Sequence, residues 1–246
     1  MATSPEDFPA DSLAVEIWRG GAEGRFQRYD VPRRANQTVL DVVTHVQRRL
    51  DPSLAYRFAC RVGMCGSCAM TVNGRPRWTC RTHVAKVAQD GKLTLAPLAN
   101  LPVVRDLVVD MAPFFDKWAK AEGKFVPPAK PAEDFAVVPP SSAARRAADA
   151  GIECIGCGVC HAACEVVTAL PDYLGPAALN RAWTLVNDVR DGARAERLAA
   201  VSGDAGCHAC HSQQGCRTHC PKQLNPTAAI AGLKRATTWA VVTGKL

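Results

Sequence analysis

The chain has 246 residues, a length that favours two modest domains over one large one. Its net charge of +7 suits nucleic-acid binding, but the Lys and Arg residues are scattered and accompany no recognised nucleic-acid motif. We therefore assign the charge to a solvated surface that faces protein partners. The sequence has no apolar run of roughly 18 residues, which argues against a membrane span within this chain.

The 12 cysteines fall in three tight clusters rather than evenly along the chain. The first residues, MATSPEDFPADS, are acidic and broken by proline, and they lack the apolar stretch of a signal peptide. We therefore expect a reducing compartment. Clustered cysteines in such a compartment indicate metal ligands or catalytic thiols rather than disulfides.

The first predicted elements are two strands, residues 13–19 and 25–31, joined at GGAEG as a hairpin. A helix follows, and Thr38 can cap its start. Its apolar face is predicted from helical spacing: Val39, Val42, Val43, Val46 and Leu50. A hairpin at Asn73-Gly74 and an extended stretch at 93–98 complete an α+β domain.

The first cysteine cluster has the spacing C-x4-C-x2-C, followed by a fourth cysteine after eleven residues: Cys60, Cys65, Cys68 and Cys80. The first three spacings are those of the plant-type ferredoxin loop, in which four thiolates hold a [2Fe-2S] cluster. Gly63, Gly66 and Ser67 are small enough for backbone amides to approach the sulfurs. Structural zinc is the alternative, but it favours paired C-x2-C knuckles, and these four cysteines contain only one such pair.

Residues 105–120 are predicted to be helical, with an interruption at Pro113, and the stretch from Gly123 to Ser142 is too rich in proline for regular structure. We therefore predict a first domain over 1–122, a linker over 123–142 and a helical domain over 143–246. Helices are expected at 146–151, 179–201 and 226–242.

The second cluster is the bacterial ferredoxin run C-x2-C-x2-C-x3-C, formed by Cys154, Cys157, Cys160 and Cys164. The third repeats this spacing with Gln213 in place of one cysteine: Cys210, Gln213, Cys216 and Cys220. In two-cluster ferredoxins the fourth cysteine of each run ligates the other cluster. If the two runs exchange their fourth cysteines in this way, the spacing predicts a [4Fe-4S] cluster on Cys154, Cys157, Cys160 and Cys220. It leaves three thiolates for a [3Fe-4S] cluster: Cys164, Cys210 and Cys216.

Cys207 precedes Cys210 by the same three-residue step, so it is either a fourth ligand outside the regular spacing or an ordinary buried thiol. Four histidines lie among the cysteines, and we expect them to support the ligands or face solvent: His161, His208, His211 and His219.

Several segments resemble the iron-sulfur subunit of the succinate dehydrogenase/fumarate reductase (complex II) family, in the same order over nearly the whole chain. They are YRFACRVGMCGSC, LANLPVVRDLVVDM, CIGCGVCHAAC, YLGPAAL and CRTHCPKQLNP, and several are closer to the fumarate reductase branch. The resemblance implies an N-terminal β-grasp plant-type [2Fe-2S] domain. It also implies an all-α bacterial-ferredoxin-like domain with two cubane-type clusters.

The resemblance further implies a subunit of a succinate:quinone oxidoreductase, with no catalytic residue of its own. Electrons would pass between a flavoprotein subunit with covalent FAD and a membrane quinone, beside anchor subunits that can hold haem b. The chain would lie peripherally at the cytoplasmic face of the inner membrane. The quinone residues implied are Lys234, which falls where the fumarate reductase branch has a lysine, and His211. In place of the proline and tryptophans common in ubiquinone-linked members, the chain has residues 165–170, EVVTAL.

Two other functions use the same clusters. A soluble ferredoxin-like carrier would not need a separate C-terminal docking helix. An electron-transfer subunit of the heterodisulfide-reductase type would not need the N-terminal plant-type loop.

Overall fold

A computed structural model describes residues 12–130 and 134–246. The N-terminal segment used in the signal-peptide argument and part of the predicted linker, residues 131–133, lie outside the described residues. The chain divides into two compact units, the first ending at Asp110 and the second beginning at Met111. This division falls earlier than the predicted one, because the helix at 112–120, expected in the first domain, packs within the second unit.

The first unit contains a five-stranded mixed sheet in the order β2-β1-β5-β3-β4. The strands are β1 (Ser12–Arg19), β2 (Arg25–Pro32), β3 (Ala69–Val72), β4 (Arg75–Trp78) and β5 (Lys92–Ala96). The β1–β5 pair is parallel and the other pairs are antiparallel. Both predicted hairpins are confirmed, and the tight β3–β4 turn has positive φ at Asn73 and Gly74, as a two-residue hairpin loop requires.

Helix α1 (Val39–His45) covers one face of this sheet, and the Thr38 side chain caps it by accepting from the Asp41 N–H. A wider helical turn at Val46–Leu50 continues the helix. The predicted apolar face is largely confirmed by fully buried side chains: Val39, Val42, Val43 and Val46. Leu50 does not belong to this buried face, because it is 46% exposed. A short helix, α2 (Val84–Val87), precedes β5.

The predicted helix at 105–120 is wrong over its first seven residues, 105–111, because the helix begins at Ala112. The chain there forms a small hairpin of β6 (Val103–Arg105) and β7 (Val108–Val109). Asp106, at φ +52°, accepts hydrogen bonds from the N–H groups of Gly20 and Ala55, both at 2.8 Å. Asp106 therefore has a left-handed backbone conformation, and both of its carboxylate oxygens are bound to distant N–H groups. A residue in that conformation cannot lie within a right-handed α-helix.

In its described residues, the second unit is built from helices. They are α3 (Ala112–Lys120), α4 (Ala143–Ile152), α5 (Val159–Ala162), α6 (Glu165–Ala169), α7 (Gly175–Val186), α8 (Arg194–Ser202), α9 (Gly215–Thr218) and α10 (Pro226–Val242). Helix α7 is central and packs against α3, α4, α8 and α10. The helix predicted over 179–201 is divided into α7 and α8 by a loop, whereas α10 is confirmed at both ends. Among the described residues, no helix combines the length and apolar character that crossing a membrane requires.

The start of the predicted linker is held on the second unit by a buried ion pair. The fully buried Arg197 and Asp191 side chains meet at 2.8 Å. Arg197 also donates to the Lys124 carbonyl, and Asp191 accepts from the Val126 N–H. These bonds explain why the loop between α7 and α8 interrupts the helical pattern.

We expect Asp191→Asn to lower the free energy of unfolding of the second unit by ~3–5 kcal/mol, because it leaves the Arg197 charge buried without a counter-charge. The matched control is Asp149→Asn, which breaks a partly exposed pair with Arg145 on α4 and should cost less than about 1 kcal/mol. Urea unfolding of the purified protein measures both. Equal losses in the two variants would contradict this account of the ion pair.

Candidate metal centres

The first cysteine set lies in the loop before β3 and directly after β4. The backbone N–H groups of Met64 and Cys65 point at the Cys60 Sγ, at 3.2 and 3.3 Å. These donors, with the N–H of Val62, lower the pKa of the Cys60 thiol to about 6. Cys60 is therefore mostly thiolate at neutral pH, the form that binds metal.

Cys68 and Cys80 form the second half of this set, with the Cys80 N–H 3.5 Å from the Cys68 Sγ. Burial and the neighbouring Cys68 thiol raise the pKa of Cys80 to about 11. The cysteine loop passes close to the Trp78 side chain at Gly63. The φ of Gly63 is +76°, and a Cβ atom added to it would lie 2.8 Å from the indole ring. Only glycine fits that position without displacing the ring.

A second set of four cysteines lines one cavity in the second unit: Cys154, Cys157, Cys160 and Cys220. The rest of the lining is mainly apolar and includes Phe114 from α3. Burial, followed by the influence of the neighbouring thiols, raises the pKa of Cys157 to about 12 and that of Cys160 well above its usual range. Such a cavity disfavours free thiolates, so a bound cation would be needed to hold them deprotonated.

A third set lines a neighbouring cavity: Cys164, Cys210 and Cys216. Gln213 lines the same cavity, together with His211, Tyr173 and Thr227. The thiols of Cys164 and Cys210 both act on the pKa of Cys216, which burial raises, so the three sulfurs lie near one another. The two cavities adjoin, because Cys160 and Cys216 lie in two helices, α5 and α9, that contact each other.

Two single-turn helices, α5 and α9, pack together, and α5 contributes to the four-cysteine cavity while α9 contributes to the three-cysteine cavity. Cys160 lies within α5, Cys216 lies within α9 and Cys164 is the N-cap of α6. At Gly215, a Cβ would lie 2.5 Å from the Ala163 carbonyl oxygen. Glycine thus allows the close approach of these turns that brings the two cysteine runs together.

Cys207 lies elsewhere, fully buried, with its Sγ 3.7 Å from the Thr237 Oγ1. His208 Nε2 is 3.0 Å from the same hydroxyl, and His219 Nδ1 is 2.9 Å from the Gly215 carbonyl oxygen. His161 is buried and packs edge-on against the Phe114 ring. Cys207 and these three histidines thus have packing or hydrogen-bonding neighbours within the second unit.

The two predicted quinone residues lie close to the three-cysteine cavity. His211 is exposed and lines it. Lys234 on α10 donates from Nζ to the Cys210 carbonyl oxygen at 2.7 Å. The ammonium is therefore held over the Cys210 backbone rather than pointing freely into solvent, and two of its three protons stay available to other acceptors.

The cavity residues that the sequence prediction did not include comprise Phe114, Tyr173 and Thr227 among others. The spacing of the cysteines does not predict that Tyr173 and Thr227 lie in a cavity. The spacing of apolar residues in α3, by contrast, could have predicted that Phe114 is buried. Among the described residues, no group of three or more His, Cys, Asp or Glu side chains is arranged to hold a single metal ion. The case for the cysteines therefore rests on the two cavities of the second unit and on the N–H contacts to sulfur in the first unit.

Two descriptions of protein families match separate parts of the chain. Residues 14–116 match a family described as a 2Fe-2S iron-sulfur cluster binding domain. Residues 151–224 match a family described as a 4Fe-4S dicluster domain. Each of the three cysteine sets falls within one of these matches.

Similar proteins span nearly the whole chain. The fumarate reductase iron-sulfur subunit of Haemophilus influenzae is 34% identical over 94% of this chain and 92% of its own length. The mitochondrial succinate dehydrogenase iron-sulfur subunit 1 of Oryza sativa subsp. japonica is 35% identical over 80% of this chain and 70% of its own length. A chain of the Mycobacterium smegmatis Sdh1 complex in the apo form superposes with a TM-score of 0.83 at 27% identity, covering 92% of this chain and 95% of that one.

Proposed function

The chain belongs to the family of iron-sulfur subunits of fumarate reductase and succinate dehydrogenase, and on that basis we propose which of its residues bind the redox centres and meet the partners. Family membership makes it an electron-transfer subunit of an oxidoreductase complex. When bound, iron-sulfur clusters supply centres that take up and release one electron at a time. The task of the protein residues is to hold these centres, adjust their environment and exclude water from them.

In the first unit we propose a [2Fe-2S] cluster on Cys60, Cys65, Cys68 and Cys80. The thiols lie as two pairs, Cys60 with Cys65 and Cys68 with Cys80, which suits two irons that each take two thiolates. The sheet order and the helix packed on it support a β-grasp domain for this cluster.

In the second unit, the observation that carries the proposal is the pair of adjoining cavities, one lined by four cysteines and the other by three. Four thiols in an apolar cavity fit a [4Fe-4S] cluster on Cys154, Cys157, Cys160 and Cys220. Three thiols fit a [3Fe-4S] cluster on Cys164, Cys210 and Cys216, because Gln213 lies where the regular spacing would supply a fourth.

For partners we propose a flavoprotein subunit with covalent FAD and one or more membrane-anchor subunits that can hold haem b. The chain would then lie peripherally at the cytoplasmic face of the inner membrane. The complex purified through a tag on this chain tests the proposal: a large flavoprotein should co-purify, and succinate should reduce the clusters. A chain that purifies alone would favour a free ferredoxin-like carrier. A flavoprotein partner inert toward succinate and fumarate would favour the heterodisulfide-reductase type.

We propose that quinone binds next to the three-cysteine cavity, near His211 and Lys234. Beyond Lys234, helix α10 exposes apolar side chains suited to an anchor subunit or the membrane interface: Trp239, Val241 and Val242. The Lys234 ammonium, already fixed by the Cys210 carbonyl, could stabilise negative charge on a quinone oxygen.

We therefore expect Lys234→Ala to lower the rate of quinone turnover by about 100-fold, the usual effect of removing one group that stabilises developing charge. Succinate oxidation with an artificial acceptor at the flavin should be unaffected. Arg235→Ala, which removes the adjacent exposed cation, is the control and should leave both rates unchanged. Unaltered quinone kinetics in Lys234→Ala would move the search for the site to His211 and residues 165–170.

A further inference from the structure

The three-cysteine cavity differs from its neighbour in the side-chain hydroxyls that line it. Thr227, near the start of α10, has its Oγ1 3.3 Å from the Cys216 Sγ. Tyr173, just before α7, lines the same cavity and is 1% exposed. Cys210 lines it as well. The cavity therefore holds one hydroxyl beside the Cys216 sulfur and a second hydroxyl side chain in the same lining as Cys210.

The position of Tyr173 is fixed from outside the cavity. Lys117 on α3 donates from Nζ to the backbone carbonyl of Tyr173 at 2.6 Å, and it also contacts the Pro171 carbonyl. A cluster thiolate carries no proton, so a hydroxyl group beside it can act only as the hydrogen-bond donor.

Backbone donors do not distinguish the two cavities, because the Ser212 N–H lies 3.4 Å from the Cys210 Sγ in the three-cysteine set. The difference is in the side chains, since no Ser, Thr or Tyr is among the described residues that line the four-cysteine cavity. The remaining lining is mostly apolar, and the Asn180 amide that reaches it donates to the Gly151 carbonyl instead. The two neighbouring sets therefore differ in side-chain donors to sulfur.

We propose that the hydroxyls of Tyr173 and Thr227 donate hydrogen bonds to the cluster thiolates Cys210 and Cys216 and thereby raise the reduction potential of the three-cysteine centre above that of its neighbour. This inference rests on the proposed function, since it assumes the [3Fe-4S] assignment. Reduction adds one negative charge, and donors aimed at the ligand sulfurs stabilise the more negative state. The consequence is a centre that readily accepts electrons beside the quinone end.

The test is a potentiometric titration of the purified complex, followed by the EPR signal that an oxidised [3Fe-4S] cluster gives. Tyr173→Phe and Thr227→Val should each lower the equilibrium constant for reduction about 10-fold, equal to about 59 mV for a one-electron couple. Thr227→Ser keeps a hydroxyl, so its [3Fe-4S] centre should have the wild-type reduction potential. The potential of the [4Fe-4S] centre should stay unchanged in all three variants.

Tyr29→Phe, which removes a phenol bonded to Arg19 and Asp51 in the first unit, is the control and should leave the [3Fe-4S] potential unaltered. Unchanged potentials in both Tyr173→Phe and Thr227→Val would overturn the inference while leaving the proposed function intact. A potential that Thr227→Ser fails to restore would also count against donation by Thr227. A wild-type complex without the [3Fe-4S] signal would overturn the proposed function, and this inference with it.

Discussion

Replacing Gln213 by cysteine should abolish the EPR signal of the oxidised third centre and add about one iron atom per chain. Gln213 lines the cavity with Cys164, Cys210 and Cys216, at the position where the regular ferredoxin spacing carries a thiolate. A cysteine there would complete four ligands and allow a [4Fe-4S] cluster, which is silent when oxidised. EPR spectra and iron analysis of the oxidised complex measure the change.

Two variants control this experiment. Gln214→Cys places a thiol one position out of register, on a residue with φ +63°, and should keep the [3Fe-4S] signal. Cys207→Ala should also keep it, because the Cys207 sulfur lies against Thr237. Persistence of the signal in Gln213→Cys at full iron loading would refute the argument from position. Loss of the signal in Cys207→Ala would make Cys207 a ligand.

Cys65→Ala should remove the [2Fe-2S] centre and stop nearly all reduction of the other two centres by succinate, while the flavoprotein still binds dicarboxylate. The reason is that Cys65 belongs to the thiol pair with Cys60, so its loss leaves one iron short of a ligand. We propose that this unit receives electrons from the flavin, so no other centre in the chain can replace it. Rapid mixing with succinate, followed by EPR of the [3Fe-4S] centre, measures the rate.

The same Cys207→Ala variant is the control for loss of a cysteine, and it should be reduced at the wild-type rate. Reduction of the [3Fe-4S] centre at the wild-type rate in Cys65→Ala would refute the serial path. A preparation that no longer holds the flavoprotein would show instead that Cys65 supports docking, so retention of the flavoprotein is measured alongside.

The cysteine sets could be predicted from the sequence because their geometry is mostly local. A thiol three residues from the next lies within one turn, and the crossing of fourth ligands follows from the ferredoxin spacing. The same rule anticipated that Cys220, distant in sequence, shares a cavity with Cys154. Helix α10 was predictable for a related reason, since Asn225 caps its start and Pro226 follows at the first helical position.

Features that depend on packing between distant segments were not predictable. Nothing in the spacing places α3 in the second unit, where the buried Phe114 lines the four-cysteine cavity and Lys117 holds the Tyr173 backbone. The hairpin around Asp106 depends on N–H donors far away in sequence. Arg197 and Asp191 look like ordinary surface charges in the sequence, yet both are fully buried.

The central claim is that one chain holds three different clusters, of two, four and three irons. EPR of the purified wild-type complex, oxidised and then reduced, with iron counted per chain, tests it most directly. We expect about nine non-haem iron atoms, a [3Fe-4S] signal in the oxidised state, and [2Fe-2S] and [4Fe-4S] signals only after reduction. About ten non-haem iron atoms and an oxidised complex without the [3Fe-4S] signal would contradict the claim.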